Sequence, residues 1–243
     1  KNKVMYDDVK AARLVNRLTE AFQYNLLKAS NQLAKERGAC ENFNRTKYSQ
    51  AILPIDTYKR DIDEFLGTEL HYDWEALRAE IKEHGLRHST LSAQMPSESS
   101  SVASNETNGI EPPRDLLSVK KSKKGTLKQI VPSYQSLKNY YTLLWDMKGN
   151  EGYIRIVAAM QKYFDQAISG NWSYNPLQFA NNEVPLSVML KDLLTTYKYG
   201  WKTSYYQNTY DMKSDDEVQV PVIVEQPIQQ TVEQEEQCDA CAI

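Results

Sequence analysis

Leu14, Leu18, Phe22, Leu26, Ala29 and Leu33 recur at three- and four-residue spacing, which predicts one long amphipathic helix from about Asp8 to Arg37, with a basic last turn and Gly38 as its terminator. A shorter helix is expected after Asp56. Another is expected over Asp73–His84, N-capped by Asp73 and ended by Gly85. The short, partly β-branched run Leu86–Ser92 reads as a strand, and Leu116–Lys121 and Thr126–Val131 read as the two arms of a hairpin. Helices are then predicted over Ser133–Met147 and Gly152–Ile168, the second closed by Gly170. The best-punctuated helix has Pro185 in its first turn, Leu186, Met189, Leu190, Leu193, Leu194 and Tyr197 on one broad face, and Gly200 past its end. A face that wide ordinarily packs into a core, and it serves equally as one wall of a groove for a partner peptide. Helices alternating with a few strands indicate an α/β fold.

At 243 residues, 41% hydrophobic and 25% charged, the chain can bury one sizeable core. The net charge of −3 advertises neither nucleic acid nor an anionic membrane as a partner. Lys120, Lys121, Lys123 and Lys124 read as the solvated tip of the hairpin rather than a binding patch. No apolar run reaches the length of a membrane span, no signal peptide is recognisable, and a cytoplasmic setting with reduced thiols is the default expectation. The chain begins at Lys1 in a polar stretch that leads straight into a helix, as a piece of something longer would.

From Asp211 onward the composition changes. Asp215, Asp216, Glu217, Glu225, Glu233, Glu235 and Glu236 face a single lysine, Lys213, and Pro221 and Pro227 interrupt the valines. Such a stretch buries too little apolar surface to offset the entropy of ordering, so residues 211–243 are expected to form a disordered acidic tail following a domain of residues 1–210. As a random coil, the stretch from Tyr210 to Cys238 spans about 30 Å, and fully extended it reaches roughly 90 Å.

Candidate chemistry lies in three places. Cys238 and Cys241 end the tail in a Cys-x-x-Cys. Half a zinc site would need two more ligands from the distant Cys40, His71, His84 and His88, and a disulfide this local closes almost no loop, so thiol–disulfide exchange is the favoured reading. No metal site is expected, because Gly85 breaks the helix between His84 and His88. In the second place, Met95-Pro96-Ser97-Glu98-Ser99-Ser100 leads into a short helix. Free N–H groups and hydroxyls there suit a phosphate, although serine after proline is also an ordinary N-cap. The third is Tyr205-Tyr206. Adjacent residues of a regular strand point to opposite faces, which puts one ring in the core and one at an edge; the alternative is a stacked pair passing an electron and a proton, for which a phenol pKa near 10 is suited.

These segments occur in one order with others. Leu91-Ser92-Ala93-Gln94-Met95-Pro96-Ser97-Glu98-Ser99-Ser100, then Asn108-Gly109-Ile110-Glu111-Pro112-Pro113-Arg114, then Thr203-Ser204-Tyr205-Tyr206-Gln207-Asn208-Thr209 and the terminal cysteine pair together resemble the C-terminal third of the large catalytic subunit of an aerobic class I ribonucleoside-diphosphate reductase. The likeness runs from Ala21-Phe22-Gln23-Tyr24 through Gly38-Ala39-Cys40 and Ile52-Leu53-Pro54-Ile55-Asp56 to the end of the chain.

The resemblance implies the C-terminal part of a ten-stranded α/β barrel. It implies that Pro96, Ser97, Glu98, Ser99 and Ser100 seat the diphosphate of a ribonucleoside diphosphate substrate. Tyr205 and Tyr206 would pass the radical from a small, metal-containing subunit toward an active-site cysteine. Cys238 and Cys241 would re-reduce the active-site disulfide and be reduced in turn by thioredoxin or glutaredoxin. The helix Pro185–Tyr197 would form part of the groove for the small subunit's C-terminal peptide. The radical-bearing cysteine, its redox partners and the ATP and deoxynucleotide effector sites would lie on an N-terminal part outside this sequence, with no cofactor bound by this chain itself. Cys40 reads as structural. A truncation or a subunit made in two pieces would account for such a chain, and an incomplete barrel would leave strand edges open. The reading from a different class is a non-catalytic interaction module, with Tyr205 and Tyr206 in the core and the acidic tail as a partner-binding peptide.

Overall fold

The computed structural model describes residues 2–122 and 125–211. Helix α1 spans Val9–Arg37. The Asp8 carboxylate accepts from the Lys10 N–H at 2.9 Å, and Gly38, at a φ of 82° that suits glycine, returns its N–H to the Ala34 carbonyl. The predicted apolar stripe is not the buried face, however. Leu18 and Phe22 are more than half exposed, while Ala11, Ala12, Asn16, Thr19, Glu20, Gln23, Leu27, Ser30, Asn31 and Ala34 face inward. Small and hydrogen-bonding residues let neighbouring segments approach this side closely. Asn31, for example, donates to the carbonyls of Glu80 and Gly85.

The short helix expected after Asp56 instead contains it. Helix α2 is Pro54–Thr57, and a 3-10 turn at Arg60–Ile62 runs into α3, Asp63–Leu66. The Asp56 carboxylate accepts from the Leu53 N–H, which begins α2 early. Helix α4, Trp74–His84, has the expected Asp73 cap and Gly85 end. Leu86–Ser92 is not a regular strand. Its end is tied down by side chains instead, with Asp165 accepting from the N–H groups of Leu91 and Ser92 at 2.8 and 3.0 Å, and one parallel bridge pairs Gln94 with Ile168. Helix α5, Glu98–Ser104, follows, and then the predicted hairpin of β1, Leu117–Ser122, and β2, Gly125–Ile130. Its tip at 123–124 lies outside the described residues.

The single helix expected over Ser133–Met147 is broken. Ser133 takes a φ of 53°, and α6, Tyr134–Leu137, gives way to 3-10 turns at Lys138–Tyr140 and Leu144–Asp146. Helix α7, Glu151–Gln161, is shorter than predicted, and Gly170 is not its terminator but part of β3, Ser169–Tyr174. Glycine is required there because a Cβ would collide with the Tyr153 hydroxyl and the Trp201 ring. Helix α8, Leu186–Tyr199, is capped by Gly200 in the left-handed region, and β4, Thr203–Thr209, pairs in parallel with β3.

Helix α7 is buried almost all round, as a central helix must be, and packs against α1. Ile154, Val157, Ile168 and Trp201 centre one apolar cluster; Leu27, Leu53, Trp74, Ile81, Leu86 and Tyr163 form a second. The architecture is thus a mixture of helices and short sheets, one antiparallel and one parallel. Among the described residues the strands do not close into a barrel. None of the described helices is long and apolar enough to cross a membrane.

Candidate functional site

Strand β4 carries Tyr205 and Tyr206, and its pairing with β3 is irregular at that point. Gly170 lies opposite Ser204 and Trp172 opposite Gln207, so two residues of β4 face the single Asn171 of β3. This is a β-bulge, and it breaks the alternation of a regular strand. Both rings are therefore exposed, by 54% and 60%, and their centroids lie 4.2 Å apart with the planes inclined at 55°. The expectation of one ring in the core and one at an edge is overturned, and the pair is tilted rather than parallel. Tyr205, hydrogen-bonded to it, raises the Tyr206 phenol above its ordinary value, so the Tyr206 phenol keeps its proton at neutral pH.

The bulge leaves the Tyr206 N–H without a ladder partner, and the Asn171 side-chain oxygen accepts it at 2.9 Å. The Asn171 amide in turn donates to Glu111, and the Asn171 N–H donates to the Tyr153 hydroxyl at 3.3 Å. Neither Asn171 nor Glu111 is among the residues picked out from sequence as site residues. The available signal was the Asn108–Arg114 segment, where Glu111 is embedded in the motif without an evident role.

The 96–100 loop forms a separate concavity of about 320 Å³, lined by Gln94, Ser97, Ser100, Ser101, Ser104, Glu106, Thr107, Gly109 and Ile110. Ser97 is the N-cap of α5, but its own N–H is already taken by the Asn108 side-chain oxygen Oδ1 at 2.9 Å. Asn108 therefore holds the loop against the Asn108–Gly109 turn, where Gly109 has a φ of 58°. Ser97 and Ser100 reach the concavity; Pro96 and Ser99 do not line it. A larger cavity of about 700 Å³, bordered by Lys47, Tyr48, Lys162, Asp165 and Lys202, contains neither this loop nor the tyrosine pair.

Helix α8 stands just before β4 and turns its apolar face outward. Leu186, Leu190, Leu193, Leu194 and Tyr197 are all close to half exposed or more, whereas its buried residues are Asp192, Thr196 and Tyr199. The polar side makes the attachment: Asp192 accepts from Asn150 at 2.8 Å, and Thr196 accepts from the Trp172 indole at 3.2 Å. Of the two readings open from the pattern, the core reading fails. Cys238 and Cys241, with the rest of the expected tail from residue 212, lie outside the described residues. Cys40 is partly buried, and its N–H donates to the Leu86 carbonyl. His84 and His88 are separately engaged, His84 beside Glu80 and Glu83, His88 with the Ser30 hydroxyl.

Comparison with known proteins bears on these features together. The family described as "Ribonucleotide reductase, barrel domain" matches residues 1–207. The chain is 59% identical over 215 residues to the ribonucleoside-diphosphate reductase subunit alpha of Haemophilus influenzae, covering 88% of the chain and 28% of that protein. It is 59% identical over 210 residues to ribonucleoside-diphosphate reductase 1 subunit alpha of Escherichia coli, covering 86% and 28%, and 43% identical over 221 residues to the subunit alpha of Enterobacteria phage T4, covering 90% and 29%. The chain thus spans somewhat over a quarter of the length of these curated relatives. With a match across nearly all of the described residues, the chain belongs to the ribonucleotide reductase barrel-domain family.

Proposed function

We propose that this chain is the C-terminal part of the barrel of a class I ribonucleoside-diphosphate reductase large subunit, acting with the remainder of that subunit. The reaction replaces the ribose 2′-hydroxyl of a ribonucleoside diphosphate by hydrogen. The hydroxyl leaves as water, and two electrons come from a dithiol that closes to a disulfide. In this division of labour Ser97 and Ser100, with the loop Pro96–Ser100, seat the diphosphate. Tyr205 and Tyr206 relay the radical from a metal-containing small subunit. Cys238 and Cys241 deliver electrons received from thioredoxin or glutaredoxin. Catalytic cysteines and the ATP and deoxynucleotide effector sites belong to the remainder, and the cytoplasm is the setting.

The observation that carries the reading is the tyrosine pair: two phenol rings in contact, both exposed, on a strand that follows a helix with an outward apolar face. A relay across a subunit boundary needs that exposure; a core pair does not. The interaction-module reading placed these rings in the core, which their exposure opposes.

The test is reconstitution. Combined with the remaining part of the subunit and the radical-generating partner, the chain should support deoxynucleotide formation. Tyr205→Phe and Tyr206→Phe should each abolish turnover while leaving fold and substrate affinity near those of the parent, because a phenyl ring packs alike but gives up no proton with its electron. Substantial turnover in either variant defeats the relay.

A further inference from the structure

We infer that Asn171, braced by Glu111, is a positioning residue that holds the two phenols together by filling the bulge opposite them. The inference rests on the relay reading for its functional consequence, and on geometry alone for the positioning.

Two adjacent strand residues present their rings to one another only if the backbone between them departs from the regular pleat. Here the departure costs a ladder hydrogen bond at the Tyr206 N–H, which the backbone must satisfy elsewhere. Asn171 supplies the missing acceptor from its side chain. A carboxamide is well suited, because one end accepts while the other donates. The donating end meets Glu111, which is half-buried, and the Asn171 N–H is fixed separately on the Tyr153 hydroxyl. Three bonds in three directions thus anchor the one residue that stands across from the tyrosines.

The carboxylate suits the bracing task because Asn171 offers it a donor. Burial pushes the Glu111 carboxyl up, and the Asn171 amide and the charge of Arg114 oppose that rise. The described bonds of Asn171 go to the Tyr206 N–H, Glu111 and Tyr153 and not to the oxygens of the Tyr205–Tyr206 pair, so its effect on the pair acts through the Tyr206 backbone.

The arrangement has a built-in test, since its hydrogen-bond polarity can be reversed. Asn171→Asp keeps the acceptor for the Tyr206 N–H but sets a carboxylate against Glu111. Glu111→Gln added to it restores a donor–acceptor match, with the amide now on the other partner. The full large subunit with its small subunit is assayed as the parent, Asn171→Ala, Asn171→Asp, Glu111→Gln and the Asn171→Asp/Glu111→Gln pair. Turnover and the substrate KM are measured, and fluorotyrosine at position 206 reports the neighbouring ring through its 19F shift, with Tyr205→Ala marking the shift expected when that ring is gone.

Asn171→Ala and Asn171→Asp should lower turnover roughly tenfold or more without changing KM, the scale on which small misplacements of reacting groups act. Their 19F shift should move toward the Tyr205→Ala value. The paired change should return both turnover and shift to within about threefold and to near the parent position, respectively, a rescue that general destabilisation would not give. If the paired variant is no better than Asn171→Asp, or if the shift stays at the parent value in Asn171→Ala, the positioning role is overturned. Turnover retained in Tyr206→Phe would instead sink the relay reading while leaving the 19F result to judge the geometry on its own.

Discussion

Asn150 donates to Asp192 at 2.8 Å while its carbonyl oxygen accepts from the Ser173 N–H at 2.8 Å, so one buried amide joins α8 to β3. Asp192 is 7% exposed. Asp192→Ala would leave the Asn150 amide without its acceptor, and a loss of about 2 kcal/mol is expected in denaturant unfolding. Leu190→Ser and Leu194→Ser, on the opposite side of the same helix, should change stability by no more than about 0.5 kcal/mol. If α8 receives a partner peptide, as the family resemblance implies, those two changes should weaken binding of the small subunit's C-terminal peptide by tenfold or more, roughly 1.4 kcal/mol. Unchanged peptide affinity in titration calorimetry would remove the groove from that face.

Asp56 and Arg78 give a pH-dependent prediction. Burial pushes the Asp56 carboxyl up, but the Arg78 guanidinium at 2.6 and 2.9 Å and the Leu53 N–H outweigh it and hold the group below its ordinary 3.8. A carboxyl depressed in the folded state contributes stability that is fully present above its unfolded pKa and is lost as pH falls through its folded one. Arg78→Met should therefore cost about 1–2 kcal/mol at pH 7, with partial exposure of both groups keeping it at that level. The gap between parent and variant should narrow as pH drops below about 4. A gap that stays constant from pH 7 to pH 3 would mean that Arg78 acts by packing, not charge.

What the pattern conveyed and what it did not follow one physical line. The ends of α1, α4 and α8 were legible because Asp8, Asp73, Gly38, Gly85 and Gly200 act locally on their own backbone. Which face of a helix goes inward depends on what it meets: on α1 and α8 much of the apolar stripe stays exposed, Phe22 reaching the Phe164 ring and Tyr197 the Lys59 ammonium, while small and polar residues make up most of the buried side. β3 was missed because Gly170 resembles a helix stop, and its reason for being glycine is the Tyr153 hydroxyl and Trp201 ring, brought in from elsewhere in the chain. The tyrosine pair was visible as a motif, yet its geometry was not, since the bulge is a property of two strands and Asn171 lies on the other one.

The cysteine pair yields a prediction that is independent of those contacts. With Cys238 and Cys241 changed to serine, a reconstituted enzyme should complete one turnover and then stall with thioredoxin as reductant. A small dithiol able to enter the active site directly should restore multiple turnover. Equal rates with thioredoxin before and after the change would leave the tail without its assigned task.

Lys162 is the sharpest energetic anomaly of the fold. Its side chain is 0% exposed, the ammonium has no hydrogen-bond partner among the described residues, and the nearest described carboxylate, Asp63, is 3.9 Å away. The rings of Tyr58 and Tyr163 lie at 4.6 and 5.5 Å, within cation–π range. Burial lowers the ammonium pKa, and the charges of Asp63 and Glu20 oppose this without supplying a hydrogen bond. Desolvating a lysine for so loose a pairing costs more than the pairing returns, so Lys162→Met, which keeps the length of the stem, should be neutral or stabilising by about 1–4 kcal/mol. Asp63→Asn, which leaves the buried cation with less compensation, should instead destabilise by about 3 kcal/mol. The order of the two midpoints in urea decides the matter. If Lys162→Met is the more damaging change, the ammonium contributes more to the fold than its loose pairing with Asp63 accounts for.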